Sequence, residues 1–333
     1  MIGGTGNISL AVSQQLLREG HELHLYCRGN NNGPVLDGAV FAYGDIHNEG
    51  EVAAYLRDKF FDVVVNWIIF EPSEIQRDIR LFTGKTKQYI FISTTAVYQK
   101  PPTHYIITEK TPQGNPFWEY ARKKMECEGI LMEACEKQDF PATIVRPSLT
   151  YGTHWIPYCM GSKKSWSLIH RLRSGKKIIV PGDGTNLWTA TKSDDFARGF
   201  TGLVNNPAAI GEDFHITSDE VLTWNLILTQ IAEAAGTQAN PVHISTDFIT
   251  TFMPEKHGSL IGDKVNSLVF DNSKIKSFVP GFQAKIPFKE GVAEIINMYD
   301  ANPALQITDP DYENLIDRII AAHDSGKCPR IGI

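Results

Sequence analysis

The sequence predicts a doubly wound α/β protein, a parallel sheet covered on both faces, with a smaller and partly interleaved α/β lobe toward the C-terminus. Three observations predict it. The chain opens on a glycine turn, Gly3-Gly-Thr-Gly6, that runs straight into a helical pattern. Val/Ile-rich runs of strand length then alternate with longer helical stretches, the signature of crossover-connected parallel strands buried on both faces. Beyond Gly152 that alternation loosens without a clear linker, internal repeat or low-complexity tract.

In chain order, the first helix is expected over 8–19, with Gly20 as its stop, and strands over 22–27 and 40–43. A helix over 49–59, a strand over 62–67, a helix over 74–83 and a strand over 88–93 continue the alternation. A long helix over 118–137 ends before the breaker Pro141, and a strand over 142–146 follows. Further on, a basic helix is expected over 165–174, a strand over 177–180 and the turn Pro181-Gly-Asp-Gly184. A helix over 194–204, a strand over 213–217 and helices over 224–235 and 288–299 complete the set. The division implied is a dinucleotide-binding Rossmann domain over 1–152, with returning segments near 177–217, and a mainly substrate-binding lobe over 153–333. Met1-Ile2 is too short for a central strand of the usual ~5–6 residues, and residues before Met1 are expected to be missing.

Composition narrows the function classes. Of 333 residues 42% are hydrophobic, ample for a core, and the net charge of −6 offers nothing to a phosphate backbone, so no nucleic-acid partner is expected. The basic clusters Lys163-Lys164 and Arg171 to Lys177 read as a solvated helix face and turn. Five scattered cysteines without a C-x-x-C pair argue against a disulfide framework or a metal site and fit a reducing cytoplasm. Cys127 and Cys135 share a helix as packing residues, and no apolar run approaches the ~18–20 residues that span a bilayer.

The glycine turn at the head of a β-α-β alternation is where a dinucleotide's pyrophosphate meets the free amides and positive end of a helix. Gly3, Thr5, Gly6, Asn7 and Ile8 are the candidate contacts, and Ser9 is small enough for the close packing the third glycine position requires. The second strand ends Leu25-Tyr26-Cys27-Arg28 with no carboxylate for the ribose hydroxyls, and Arg28 suits a 2′-phosphate. NAD(P) is therefore the expected cofactor, with NADP favoured over NAD. Asp45-Ile46 is placed to cap the adenine, though Asp45 also reads as a helix N-cap.

Tyr120 and Lys124 stand at i and i+4 on one helix face. A neighbouring ammonium stabilises phenolate, so Tyr120 is expected to titrate well below the usual ~10, to exchange a proton with a hydroxyl or carbonyl oxygen during hydride transfer, and Lys124 to hydrogen-bond the cofactor ribose. The same spacing at Tyr55 and Lys59 lies before the strand whose C-terminal end carries Ser93-Thr94-Thr95, and ligands gather beyond the carboxyl ends of strands, so position favours Tyr120.

Taken in order, Gly3-Gly-Thr-Gly6, Phe91-Ile-Ser-Thr-Thr-Ala-Val-Tyr98, Tyr120-x-x-x-Lys124 and Val145-Arg-Pro-Ser-Leu-Thr-Tyr-Gly152 resemble the NAD(P)-dependent epimerase/dehydratase family of extended short-chain dehydrogenases/reductases. The resemblance implies Thr94, Tyr120 and Lys124 as the catalytic set and Pro147 in the segment that walls the nicotinamide. It also implies a sugar or sugar derivative as substrate and a homodimer through the tyrosine helix. Thr95, His154, Trp155 and Trp188 are the candidate substrate contacts, with Trp188 open between stacking on a ligand and filling the core. Two departures count. Dehydratases of the family carry Asp-Glu after the catalytic threonine where this chain has Thr95-Ala96, so dehydration is not expected. Many nucleotide-sugar epimerases carry an arginine where this chain has Trp188, which makes a nucleotide-linked substrate less secure. The expected function is an oxidoreductase or epimerase acting on a hydroxyl or keto carbon. The alternative is a non-catalytic cofactor-sensing or RNA-associated protein on the same scaffold.

Overall fold

A computed structural model describes residues 1–29, 36–162 and 164–326. Its first half follows the expected alternation: α1 (Ser9–Arg18), β1 (His24–Cys27), β2 (Val40–Tyr43), α2 (Glu49–Leu56), β3 (Phe61–Asn66), α3 (Pro72–Phe82) and β4 (Thr86–Ile92). The two-residue β5 (Ile106–Ile107), α4 (Glu119–Gln138) and β6 (Ala142–Pro147) come next. All pairings in the main sheet are parallel, in the order β2-β1, then Ile2, then β3-β4-β6. Ile2 bridges Tyr26 on one side and Asn66 on the other. The central strand is thus a single rung, held by Ile2 N–H to the Val65 carbonyl at 2.8 Å and Tyr26 N–H to the Met1 carbonyl at 2.9 Å. That rung delivers Gly3 to the C-terminal edge of the sheet, where α1 begins.

The second half contributes β7 (Leu149–Tyr151), α5 (Trp166–Arg173), β8 (Lys177–Pro181), β9 (Leu187–Trp188), β10 (Ala190–Lys192) and α6 (Ser193–Thr201). Then come β11 (Asp213–Ile216), β12 (Leu222–Thr223), α7 (Trp224–Ala234), β13 (Asn240–Ile244), α8 (Thr246–Phe252), α9 (His257–Ser259) and a π-helix, Leu260–Lys264. The chain closes with β14 (Val269–Phe270), α10 (Ser273–Phe278), α11 (Phe288–Ala301) and α12 (Pro310–Asp324). β11 returns to pair with β6 at the edge of the main sheet, which is the expected interleaving.

Two cores sandwich the sheet. Val12, Leu16, Leu25, Ile90, Phe196, Phe200 and Phe214 fill the α1/α6 face. Ile75, Ile79, Tyr89, Phe91, Cys127 and Leu131 fill the α2/α3/α4 face, with Cys127 buried in packing as expected. A third core, around Tyr151, Ile179, Trp188, Trp224, Ile227 and Ile295, belongs to the second half. The basic segment expected to be solvated is ion-paired instead. Arg171 meets Asp317, Lys176 meets Glu313, and Lys177 meets Asp324, which clamps α12 onto α5 and β8, while Arg173 meets Asp300 of α11. Lys163, residues 30–35 and Cys328 lie outside the described residues. Among the described residues, no helix is long and apolar enough to cross a membrane and no His/Cys/Asp/Glu group is arranged to hold a metal.

Candidate active site

The glycine turn is built for close approach. Gly3 has φ +80° and Gly4 φ +128°, conformations that residues with a Cβ rarely adopt. A Cβ on Gly4 would stand 2.6 Å from Leu25 Cδ2 in the core, and one on Gly3 would make ordinary contact with Trp67 and Ile68 at 3.4 and 3.5 Å. The bulk at Trp67-Ile68 therefore borders the turn, with the indole packed on Phe196 and Phe200. Ser9 does more than fit: it is buried, and its Oγ accepts the Gly6 N–H at 2.9 Å. Asn7 ties the turn across the sheet, donating to the Thr150 carbonyl at 3.0 Å and accepting the Gly152 N–H at 2.8 Å. At the start of α1, Ile8 provides no side-chain cap. The Leu10 and Gly6 N–H groups are satisfied within the turn, by the Gly6 carbonyl and Ser9 Oγ, and the uncapped helix start still places the turn where a dinucleotide's pyrophosphate fits.

Around the turn, Arg28 is exposed just beyond β1, and Ile46 is buried. Asp45 is not the N-cap of α2. That place belongs to Asn48, which accepts the Glu51 N–H, while Asp45 accepts the His47 N–H at 3.0 Å. Beyond β3, buried Asn66 accepts the Ile68 N–H and donates to Asp78 at 2.6 Å, and Tyr89 and Arg77 bond the same carboxylate. This network fixes the chain opposite Gly3. It was invisible in the sequence, since Asp78 looks like any helical surface acid.

The structure brings Thr94 near Tyr120. Thr94 caps the short turn Thr95–Val97 through the Ala96 N–H, and Tyr120, in the first turn of α4, lies close enough for the Thr94 hydroxyl to act on its phenol. Trp118 and Phe70 flank the phenol ring at 4.9 and 6.4 Å between centroids. The expected acidification of Tyr120 is not what the protein produces. Burial and the nearby Asp263 carboxylate push its phenol up to about 12, against the pull of the Thr94 hydroxyl. Lys124 does not offset this, because its ammonium is committed elsewhere. It donates to the Ile69 carbonyl at 2.5 Å and the Ile92 carbonyl at 2.7 Å, and lies 5.9 Å from the Tyr120 ring centroid. Burial brings Lys124 down to about 8. With two of three donors on carbonyls at the strand ends, one N–H remains for a ligand.

Of the other candidates, Thr95 is buried and Pro147 ends β6. His154 is exposed with its ring on the Thr153 hydroxyl, and Trp155 is half-buried against the third core. Trp188 fills the core, stacked on Trp224 at 5.7 Å. Tyr55 packs on Tyr26, with Lys59 over its ring, and takes no part in the site. Residues the motifs did not reveal border Tyr120 from the second half. Asn115 donates to the carbonyls of Ala96 and Gly262, and so fastens the π-helix to the threonine turn. Asp263 and Lys264 ride on that π-helix beside Trp118.

Fold and site together define a Rossmann-like α/β protein with a glycine turn at the C-terminal edge of its parallel sheet. The model of the NAD dependent epimerase/dehydratase family matches residues 79–217. A chloroplast stem-loop binding protein of 41 kDa from Arabidopsis thaliana is 27% identical over 253 residues, 71% of this chain and 62% of that protein. A dTDP-glucose 4,6-dehydratase from Actinoplanes sp. is 27% identical over 219 residues, 65% of this chain and 61% of that protein. The match thus spans less than two thirds of either relative's length. In structure, the chain superposes on UDP-glucose 4-epimerase from Bifidobacterium longum, solved with NAD+ and UDP, with a TM-score of 0.73, 18% identity, and 91% and 98% of the two chains covered. The chain is thus similar to the NAD dependent epimerase/dehydratase family over residues 79–217 and shares the fold of the solved epimerase.

Proposed function

We propose that the protein is an NAD(P)-dependent epimerase or reductase acting on a hydroxyl or keto carbon of a sugar or sugar derivative. The observation that carries this reading is the proximity of Thr94 and Tyr120, with the Lys124 ammonium bonded at the C-terminal end of β4, at the same edge of the sheet as the glycine turn. Gly3, Thr5, Gly6, Asn7, Ile8, Asp45, Ile46 and Pro147 would hold the dinucleotide, which when bound supplies the hydride acceptor. In its protonated form Tyr120 Oη gives its proton to the carbonyl oxygen as hydride reaches the carbon, and in the oxidising direction the ionised phenol takes the proton of the substrate hydroxyl as the carbon–hydrogen bond breaks. Thr94 Oγ1 holds the reacting oxygen in line with the phenol, and Lys124 fixes the cofactor side of the site. Return of hydride to the opposite face of the same carbon gives the epimer, whereas release of the keto compound gives net oxidation. Exposed Arg28 supports a 2′-phosphate and hence NADP. A homodimer through α3 and α4 belongs to the same reading. Buried Ala96, next to Thr95, offers no acid for dehydration.

The named stem-loop binding relative favours a second reading, RNA association on the same scaffold. Against it stand the ion-paired basic segment from Arg171 to Lys177 and the net charge of −6. The test is a panel of sugars and nucleotide sugars incubated with NAD or NADP, followed by cofactor absorbance and product chromatography. Turnover that Tyr120→Phe abolishes supports the enzyme. RNA binding with no turnover on any member supports the alternative.

A further inference from the structure

Three lysines lie around the π-helix that Trp118 joins to Tyr120, with the Asp263 carboxylate among them. Lys100, just beyond the threonine turn, is buried, yet its Nζ makes one long hydrogen bond, 3.4 Å to the Tyr98 carbonyl, and no ion pair among the described residues. Lys264 on the π-helix lies 5.7 Å from the Trp118 ring centroid and 5.6 Å from that of Trp188, and donates to Asp263 at 2.9 Å. Lys256 reaches in from the turn before α9 to the Gly161 carbonyl at 3.1 Å. Lys264 acts on both of the others. Burial lowers Lys100 and Lys256, Asp263 partly holds Lys100 up, and the charge of Lys264 lowers each further. Asp263 answers one positive charge, and its second oxygen, buried, has no partner among the described residues. Cys159, also near Lys256 and Lys264, is held neutral by burial. Glu255 also attracts Lys256, but it is exposed.

A buried ammonium with a single weak acceptor is costly unless an anion completes it. We propose that Lys100, Lys256 and Lys264 form an oxyanion pocket beside Tyr120, and that the substrate is an acidic sugar carrying a carboxylate or phosphate on the reacting sugar itself. The inference rests on the sugar-epimerase or reductase reading above and names the substrate class for it. Trp118 links the two parts, since its ring neighbours Tyr120 on one side and Lys264 on the other. A sugar over Trp118 would then offer a hydroxyl to Tyr120 and its anionic substituent to the lysines.

Calorimetric titration of the NAD-saturated protein with glucose, glucuronate, glucose 1-phosphate and UDP tests this directly. The expected result is that glucuronate or glucose 1-phosphate binds at least about tenfold more tightly than glucose, ~1.4 kcal/mol, and which acid wins tells carboxylate from phosphate. Lys100→Met and Lys264→Gln should each remove that preference while leaving NAD affinity unchanged. Lys100→Met should also melt higher than wild type without ligand, because it removes an uncompensated charge. Equal binding of glucose and both acids overturns the proposal, as does a preference that survives both variants. So does binding of UDP alone that is indifferent to the lysines. Should Lys100→Met fail to fold, Lys264→Gln, on a partly exposed side chain, decides alone. The same acids can be scored by thermal stabilisation without NAD. A lysine-dependent shift there together with a fully active Tyr120→Phe would leave the pocket standing and overturn the catalytic reading.

Discussion

Replacing Lys124 with methionine should change how stability depends on pH more than it changes stability at neutrality. The folded protein holds the Lys124 ammonium in a buried site that lowers it from 10.5 to about 8. At about 1.4 kcal/mol per pH unit, keeping it charged near pH 7 costs about 3 kcal/mol. Methionine removes that cost, but it also strips the Ile69 and Ile92 carbonyls of their donor, at ~1–3 kcal/mol for each buried acceptor left unpaired. The two effects offset at neutral pH. They separate on the alkaline side. Between about 8 and 10.5 the unfolded chain still binds the lysine proton and the folded chain has released it, so wild-type stability rises with pH. The penalty is fully present below 8 and gone above 10.5. Urea unfolding of both proteins across this window measures it, since titrations common to both cancel in the difference. Wild type should gain about 3 kcal/mol on the variant from neutral pH to the top of the window. Parallel pH profiles would refute the claim that Lys124 is charged and desolvated in the site.

Three further outcomes follow from the same geometry. Arg146→Met strands buried Glu128, which the arginine grips at 2.9 and 2.6 Å, and should cost ~3–5 kcal/mol in urea unfolding, with part recovered on adding Glu128→Gln. Gly4→Ala sets a Cβ 2.6 Å from buried Leu25 Cδ2 at φ +128°, and should lower both the melting temperature and, by about tenfold or more, NAD affinity by calorimetry. Arg28→Glu should shift the NADP-to-NAD affinity ratio toward NAD by about tenfold; an unchanged ratio would remove Arg28 from cofactor recognition.

The alternation of strands and helices was readable because the strands of the main sheet are short, mostly apolar runs, β-branched in β3, and the crossovers have a helical period. The second half was harder. β13 is mostly exposed and reads Asn-Pro-Val-His-Ile, with a proline that demotes it as a strand, and it escaped notice. α12 also escaped, although Asp309 caps it and Pro310 opens it as helix starts should. Within the site, spacing put Tyr120 and Lys124 on one helix face, but spacing says nothing of what else competes for the ammonium. The carbonyls of Ile69 and Ile92 do compete, and Asp263 adds negative charge from far along the chain, so the electrostatic expectation for Tyr120 had the wrong sign. The lysines opposite Tyr120 were unreadable for the same reason. Lys100 and Lys264 stand 164 positions apart by their residue numbers and are brought together only when Asn115 fastens the π-helix.

The most direct test is single-turnover hydride transfer, with the reduced cofactor's absorbance followed after mixing NAD-loaded protein with an acidic sugar that binds. Wild type should reduce the cofactor. Tyr120→Phe should bind NAD and sugar equally well yet reduce it at least about a hundredfold more slowly, the scale of a lost general acid–base group. Equal rates in the two proteins would contradict the assignment of Tyr120.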